Sequence, residues 1–285
     1  MKLAIGTAQF GSKYGVANLL GQVSHQEVKN ILKISEFNGI KILDTAVAYG
    51  SAEQTLGEIG IRSFDCVSKL PKIPNSSNPK SWVEDQIQQS INRLNVQHLY
   101  GMLLHHPEDL LMPKGFKYLE ALLEAQDQGY IKNIGFSIYS PEILDKVTRV
   151  FWPDIVQAPY NILDQRLRST GWLDRLVNKG TKIHARSVFL QGLLVMRSDI
   201  RPNYFKKWHK ELAAWDRYVV EKNMGSMKCA LDFVTAESRI DKIIVGVDSG
   251  RQLSELIDAC DQKVHKVVFP ESSDMDLIEP SRWSL

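Results

Sequence analysis

Ile42-Leu43-Asp44-Thr45-Ala46-Val47-Ala48-Tyr49-Gly50 is the stretch whose reading decides the fold. Ile42 and Leu43 extend a short apolar run opened by Ile40, and Gly50-Ser51 marks a turn before a helical pattern from Ala52 to Ile59. Asp44 is thereby placed near the carboxyl end of a strand and Tyr49 in the loop that follows. In a parallel α/β barrel, side chains at those ends and loops face the reaction site.

Outward from this unit the chain alternates strand-like runs with amphipathic helices. Leu3 to Ile5 is a first strand ending in Gly6-Thr7-Ala8-Gln9-Phe10-Gly11, and Ser24 with Glu27 three residues on caps a helix that runs to about Asn38 and stops at Gly39. The third strand, Asp65 to Leu70, carries Lys69 near its end. Pro71 to Pro79 is a polar, proline-rich loop, and Trp82 to Leu94 repeats apolar residues at helical spacing. Leu99 to Leu104 is a fourth strand running into His105-His106-Pro107. The same beat continues: a helix from Phe116 to Gln126, strand five from Lys132 to Ser137, a helix from Pro141 to Val150, strand six from Ile155 to Ala158, and a helix from Trp172 to Val177. Strand seven is Lys182 to Ala185, one long helix is expected from Lys210 to about Val234, strand eight is Lys242 to Val245, and a last helix spans Gln252 to Cys260. No linker rich in Pro, Gly or Ser divides this series, and no G-x-G-x-x-G follows the first strand. The prediction is one α/β domain over residues 1–285, a single closed (β/α)8 TIM barrel rather than an open doubly wound sheet.

Bulk properties fit this reading. A chain of 285 residues with 44% hydrophobic content has room for one large barrel. A net charge of +2 gives no basic stripe, which argues against nucleic acid as a partner. Cys66, Cys229 and Cys260 are odd in number and match no metal spacing, so no metal site is expected and the thiols read as small buried groups in a reducing compartment. No apolar run approaches the roughly 18 residues of a membrane span. Met1-Lys2 leads straight into the first strand without a signal-peptide pattern, so the expected location is the cytoplasm.

Four residues at the ends of three successive strands carry the chemistry: Asp44, Tyr49, Lys69 and His105. A tyrosine is a poor acid at neutral pH, with a reference pKa of about 10. A neighbouring ammonium is expected to lower it, while a carboxylate keeps that ammonium charged, and an imidazole orients a substrate carbonyl or relays the proton. Taken singly, each has a structural role open to it: capping or surface carboxylate, packing tyrosine, solvated lysine, core histidine. Together they form a proton donor beside a carbonyl carbon that receives hydride, which requires a cofactor because no side chain supplies hydride. Of the two histidines, His105 follows the strand directly and is the expected participant.

Over nearly its whole length the chain resembles the aldo-keto reductase superfamily. The resemblance rests on D-T-A-x-x-Y-G-S from Asp44, the Ser68-Lys69 pair, L-L-H-x-P ending strand four, I-G-F-S ending strand five and V-Q-x-P-Y-N on strand six. It extends to F-L-Q-G-L-L after strand seven and G-V-D-S-G-R-Q-L, opened by Gly246, after strand eight. It implies reduction of an aldehyde, ketone or sugar carbonyl, or the reverse, with NADP, or NAD, as cofactor. Tyr49 would be the general acid, Asp44 and Lys69 would tune it, and His105 would orient the carbonyl. Ser137 and Gln157 would hold the nicotinamide carboxamide, Ser187, Leu190 and Gly192 would follow the pyrophosphate, and Ser249, Gln252 and Glu255 would lie at the adenosine end.

Departures from the family pattern set further expectations. Ile138 stands where Asn often follows the strand-five serine, and Leu256 where Asn is usual. Arg186 occupies the place of an aromatic that stacks on the nicotinamide; its guanidinium stacks there, binds an anionic substrate group, or makes a surface ion pair. Gln252 replaces an arginine that grips the 2′-phosphate, and neighbouring Arg251 is offered as its substitute, which inclines the expectation toward NADP. Strand one begins at Leu3, so the hairpin that usually plugs the barrel bottom is expected to be absent or reduced. Trp208 and Trp215 read as a buried helix face, Lys206 to Lys210 as a solvated helix start, and Phe269 to Leu285 as a tail outside or over the barrel. The competing function is a catalytically silent nucleotide-binding barrel with a regulatory or binding role.

Overall fold

Alternation along the strands sorts the apolar residues into two layers, one inside the sheet and one beneath the helices. The computed structural model describes residues 1–74 and 78–284. It contains β1 (Leu3–Gly6), β2 (Ile42–Asp44), β3 (Asp65–Leu70), β4 (Gly101–Leu104), β5 (Ile134–Ser137), β6 (Ile155–Pro159), β7 (Lys182–Arg186) and β8 (Lys242–Gly246). All neighbours pair in parallel and in sequence order, and β8 closes onto β1 from Leu3↔Ile243 to Gly6↔Gly246. The fold is the expected (β/α)8 TIM barrel.

Ala4, Ile42, Val67, Leu103, Ile155 and Ile244 form an apolar cluster of their own, the barrel interior. Their strand neighbours Ile5, Leu43, Cys66, Leu104, Val156 and Val245 belong to the main core with the helices. Burying one such side chain contributes about 1.5–3 kcal/mol, so a register slip that exchanged the two faces would be costly. One pleat period beyond the six interior residues lie Gly6, Asp44, Lys69, His105, Gln157 and Gly246. The packing that fixes the interior therefore also fixes a ring of polar and small residues at the carboxyl ends.

Helix caps follow the local sequence. Ser24 accepts from the Glu27 backbone N–H at 3.3 Å to open His25–Phe37, and Gly39 follows that helix with φ +71°. The helix expected from Trp82 begins three residues earlier, at Pro79–Leu94, because Asn78 caps it through the Lys80 N–H. Residues 75–77 of the expected loop, and Leu285 of the expected tail, lie outside the described residues.

Four elements differ from the sequence reading. The long helix after strand seven is two, His209–Glu221 and Ser226–Thr235, separated where Asn223 adopts φ 51° and Gly225 serves as N-cap. Apolar residues keep helical spacing on both sides of that break, which hid it. The stretch from Pro141 is a 3₁₀ turn, Pro141–Ile143, followed by a single α turn, Leu144–Val147. Leu99 makes only an isolated bridge to Ile131, so strand four starts later. The chain's end reaches over the barrel, one of the two courses expected of it, and brings Pro280 and Ser281 to the mouth, but it does so through an unexpected short helix, Met275–Ile278. Arg166 holds it there, paired with Asp164 at 2.8 Å and Glu279 at 3.3 Å.

Trp208 and Trp215 are buried, the latter donating to the Leu194 carbonyl at 2.8 Å, while Lys206, Lys207, His209 and Lys210 are exposed. Cys66, Cys229 and Cys260 are free thiols. No described helix is long and apolar enough to cross a membrane.

Candidate active site

The site is built on a buried ion pair. Lys69 is fully buried, and its Nζ donates to Asp44 Oδ2 at 2.7 Å and to the Thr45 carbonyl at 2.7 Å. Asp44 Oδ1 accepts from Gln157 Nε2 at 2.5 Å. A buried charge pair is sustainable only when its remaining hydrogen-bonding capacity is met, as β2, β3 and β6 arrange here. Above the pair, Lys69 Nζ lies 5.0 Å from the centre of the Tyr49 ring. His105 stands edge-on to Tyr49, with ring centres 6.2 Å apart and planes at 78°.

Two glycines seat Tyr49. A Cβ on Gly11 would sit 1.7 Å from the Tyr49 carbonyl oxygen and 2.5 Å from the Ala52 nitrogen, and Gly50, at φ +55°, lies against the Gly11 carbonyl. The loop after β1 and the loop after β2 thus touch backbone to backbone, a contact open only to glycine.

Burial dominates the electrostatics. The Tyr49 phenol is held above its ordinary pKa, first by burial and then by the Asp44 carboxylate, with the Arg186 guanidinium opposing both. Lys69 is drawn down by burial, an effect that Asp44 counters. Burial, with Lys69 and Arg186 acting in the same sense, lowers His105 to about 3. At neutral pH the phenol is protonated and the imidazole neutral. The expectation that Lys69 lowers the Tyr49 pKa is corrected here: the ammonium is matched by a carboxylate 2.7 Å away, leaving desolvation to set the phenol's direction.

A pocket of about 570 Å³ opens over these groups at the carboxyl ends of the strands. Asp44, Tyr49, His105, Ser137, Gln157, Arg186, Ser187, Gly192, Gly246, Gln252 and Glu255 line it, and Lys69 lies beneath. Besides Lys69, three expected residues do not line it. Leu190 is fully buried in the core, Ser249 is spent as the N-cap of Gly250–Asp261, and Arg251 is turned to solvent, paired with Glu255 at 2.9 Å. His106, at the edge of the site, faces Glu108 at 3.4 Å rather than the pocket.

Arg186 projects from the end of β7 and is held by donation to the Ile138 carbonyl at 2.9 Å and to Ser187 Oγ at 3.1 Å. Its guanidinium lies 4.7 Å from the centre of the Tyr139 ring, and among the described residues it forms no ion pair. Ile138 turns its side chain into the core and offers the pocket side only its backbone. In the loop after β7, Ser187, Leu190 and Gln191 all have positive φ, at 57°, 48° and 53°. Such non-glycine conformations cost about 1–3 kcal/mol each and gather where a loop must hold a ligand-binding shape.

Sequence reasoning missed Gln9, Tyr14, Tyr139, Asp248, Pro280 and Ser281, all of which line the pocket. Gln9 and Asp248 follow β1 and β8 and answer to the same strand-end rule that selected Asp44. Tyr14 arrives from an irregular segment and the Pro280-Ser281 pair from a single 3₁₀ turn in the tail, where no local period marks them.

The family follows from comparison. The sequence profile of the Aldo/keto reductase family matches residues 2–273, and the chain belongs to that family. The L-glyceraldehyde 3-phosphate reductase of Escherichia coli (strain K12) is 23% identical over 288 aligned positions, covering 86% of this chain and 82% of that protein. Among solved structures, the aldo-keto reductase AKR11C1 from Bacillus halodurans in its holo form superposes with a TM-score of 0.75 at 19% identity, covering 93% of this chain and 88% of the other. The glycerol dehydrogenase AKR11B4 from Gluconobacter oxydans gives 0.73 at 20% identity, with 93% and 88% covered. At those identities the structural likeness speaks for the fold alone. The family makes the protein an oxidoreductase of carbonyl compounds.

Proposed function

We propose that the protein, as one domain over residues 1–285, reduces the carbonyl of an aldehyde, ketone or sugar to an alcohol, or runs the reverse reaction, with Tyr49 as general acid. The observation that carries this reading is the protonated Tyr49 set above the buried Asp44–Lys69 pair, with neutral His105 edge-on at the mouth of one pocket. A neutral imidazole presents an N–H to a carbonyl oxygen without competing to protonate it, so His105 orients and Tyr49 donates. Lys69 and Asp44 keep the floor of the site charged but balanced, and Gln157 fixes the carboxylate's second oxygen.

The reaction needs hydride, which a nicotinamide dinucleotide supplies when bound. The pocket's residues fit such a group. Ser137 and the free Gln157 amide oxygen suit the carboxamide, and the planar Arg186 suits a stacking face. Ser187 and Gly192 suit the pyrophosphate, and Gly246, Gln252 and Glu255 reach toward the adenosine end. A pocket of about 570 Å³ with both polar and apolar residues in its lining is the scale expected of a cofactor-and-substrate site. The name of the Escherichia coli relative supports a small hydroxylated aldehyde as the substrate class. A cytoplasmic location, in keeping with the three free thiols, belongs to the same proposal.

The test is turnover of NADH and NADPH with a panel of aldehydes, ketones and keto sugars, repeated with Tyr49→Phe. General acid catalysis contributes about 10²- to 10⁴-fold, so kcat should fall by that order while cofactor affinity stays close to wild type. Wild-type turnover by Tyr49→Phe would remove Tyr49 from the role; failure of every substrate despite cofactor binding would favour the silent barrel.

A further inference from the structure

We infer that the far end of the pocket is built for an adenosine ribose with free hydroxyls, so that NAD(H) is taken in preference to NADP(H), with Asp248 as the discriminating residue. This rests on the dinucleotide reading above and runs against the NADP inclination that Arg251 gave to the sequence.

Charge and hydrogen-bonding capacity carry the inference. At this end the pocket is lined by Asp248, Gln252, Glu255 and Leu256, and among the described residues lining the whole pocket the one Lys or Arg is Arg186, at the opposite, catalytic end. Arg251 points into solvent with 88% of its side chain exposed, tied to Glu255. Asp248 keeps Oδ1 shut off from solvent with no hydrogen-bond partner, while its backbone N–H donates to Gln252 Oε1 at 2.8 Å. An ionised carboxylate only accepts hydrogen bonds, so the missing partner must be a donor. A ribose hydroxyl is a donor. A 2′-phosphate carries close to two negative charges and only acceptor oxygens, and would meet Asp248 and Glu255 with no Lys or Arg lining the pocket at that end, Glu255's partner Arg251 being turned to solvent. Acidic side chains select the ribose diol by the same physics in other dinucleotide sites.

Isothermal titration calorimetry of NADH and NADPH into wild type, Asp248→Asn, Glu255→Gln and Arg251→Ala tests this without turnover. Wild type should bind NADH at least about tenfold tighter, a difference of roughly 1.4 kcal/mol. Asp248→Asn should weaken NADH and strengthen NADPH, which loss of structure could not do, and Glu255→Gln should strengthen NADPH if Asp248→Asn fails to fold. Arg251→Ala should leave the ratio unchanged. Equal affinities, tighter NADPH, or loss of NADPH binding on Arg251→Ala would overturn the inference while leaving the reductase reading intact. No binding of either cofactor to wild type would overturn both.

Discussion

Tyr49 shows how one residue's chemistry is set by cancellation around it. Lys69 was expected to pull the phenol's pKa down, but Asp44 neutralises Lys69, and burial then favours the uncharged phenol. The sign of the pH dependence follows. Reduction needs the protonated form, present below the pKa, and that pKa is raised above its ordinary value of about 10. Carbonyl reduction, measured as kcat/KM, should therefore hold through pH 9 and fall only above about 10, whereas alcohol oxidation, needing the phenolate, should be slow at neutrality and climb across the alkaline range. His105, at about 3, adds no acid limb above pH 4. An alkaline limb near pH 8 in reduction would show that the ammonium, not burial, governs the phenol.

At the scale of elements, the loops after β1 and β2 act as one support through Gly11. Placing a methyl group 1.7 Å from the Tyr49 carbonyl must displace the loop that carries Tyr49, the proposed proton donor. A misplacement of about 1 Å can cost 10²-fold in rate, so Gly11→Ala should lower kcat by roughly one to two orders of magnitude. Gly129, with φ +81° and open space around it, is the control: alanine there should cost about 1 kcal/mol in stability and leave kcat alone. Equal kinetic effects of the two substitutions would deny the loop contact its positioning role. The split of the helix expected from Lys210 to Val234 belongs to the same scale, since a left-handed Asn223 broke what periodicity alone read as continuous.

The whole barrel imposes its own pH dependence through His184. This residue faces the interior between Lys69 and the lower lysines Lys182 and Lys242, with Nδ1 buried and unpartnered, and its pKa is lowered to about 3, first by burial. The unfolded chain, with a histidine pKa of about 6.5, takes the proton first, so stability is lost as pH falls from 6.5 toward 3. The loss approaches 1.4 kcal/mol per pH unit. Denaturant unfolding of wild type and His184→Met at pH 7, 6 and 5 should show the wild type losing ground to the variant by an amount approaching that slope below pH 6.5. Parallel pH dependences would show that His184 titrates alike in both states.

Sequence alone determined the eightfold alternation, most strand positions and the four residues proposed to carry the chemistry, because each rests on a short-range signal. Period-two burial fixes which residues face the interior, and Asp44, Lys69, His105 and Gln157 stand one period beyond interior Ile42, Val67, Leu103 and Ile155. Caps such as Ser24, and the motif around Tyr49, are likewise written locally. Only the tertiary structure decided which residues share the pocket. Tyr14 and Tyr139 enter it from irregular loops and Ser281 from a 3₁₀ turn of the tail, and Leu190, Ser249 and Arg251 leave it because packing, capping and ion pairing claim them first. Charge balance was equally out of local reach. Whether Lys69 is free to act on Tyr49 depends on Asp44 across a strand boundary, and the sign of the adenosine end depends on where Arg251 points, both properties of side-chain placement that no run of neighbouring residues encodes.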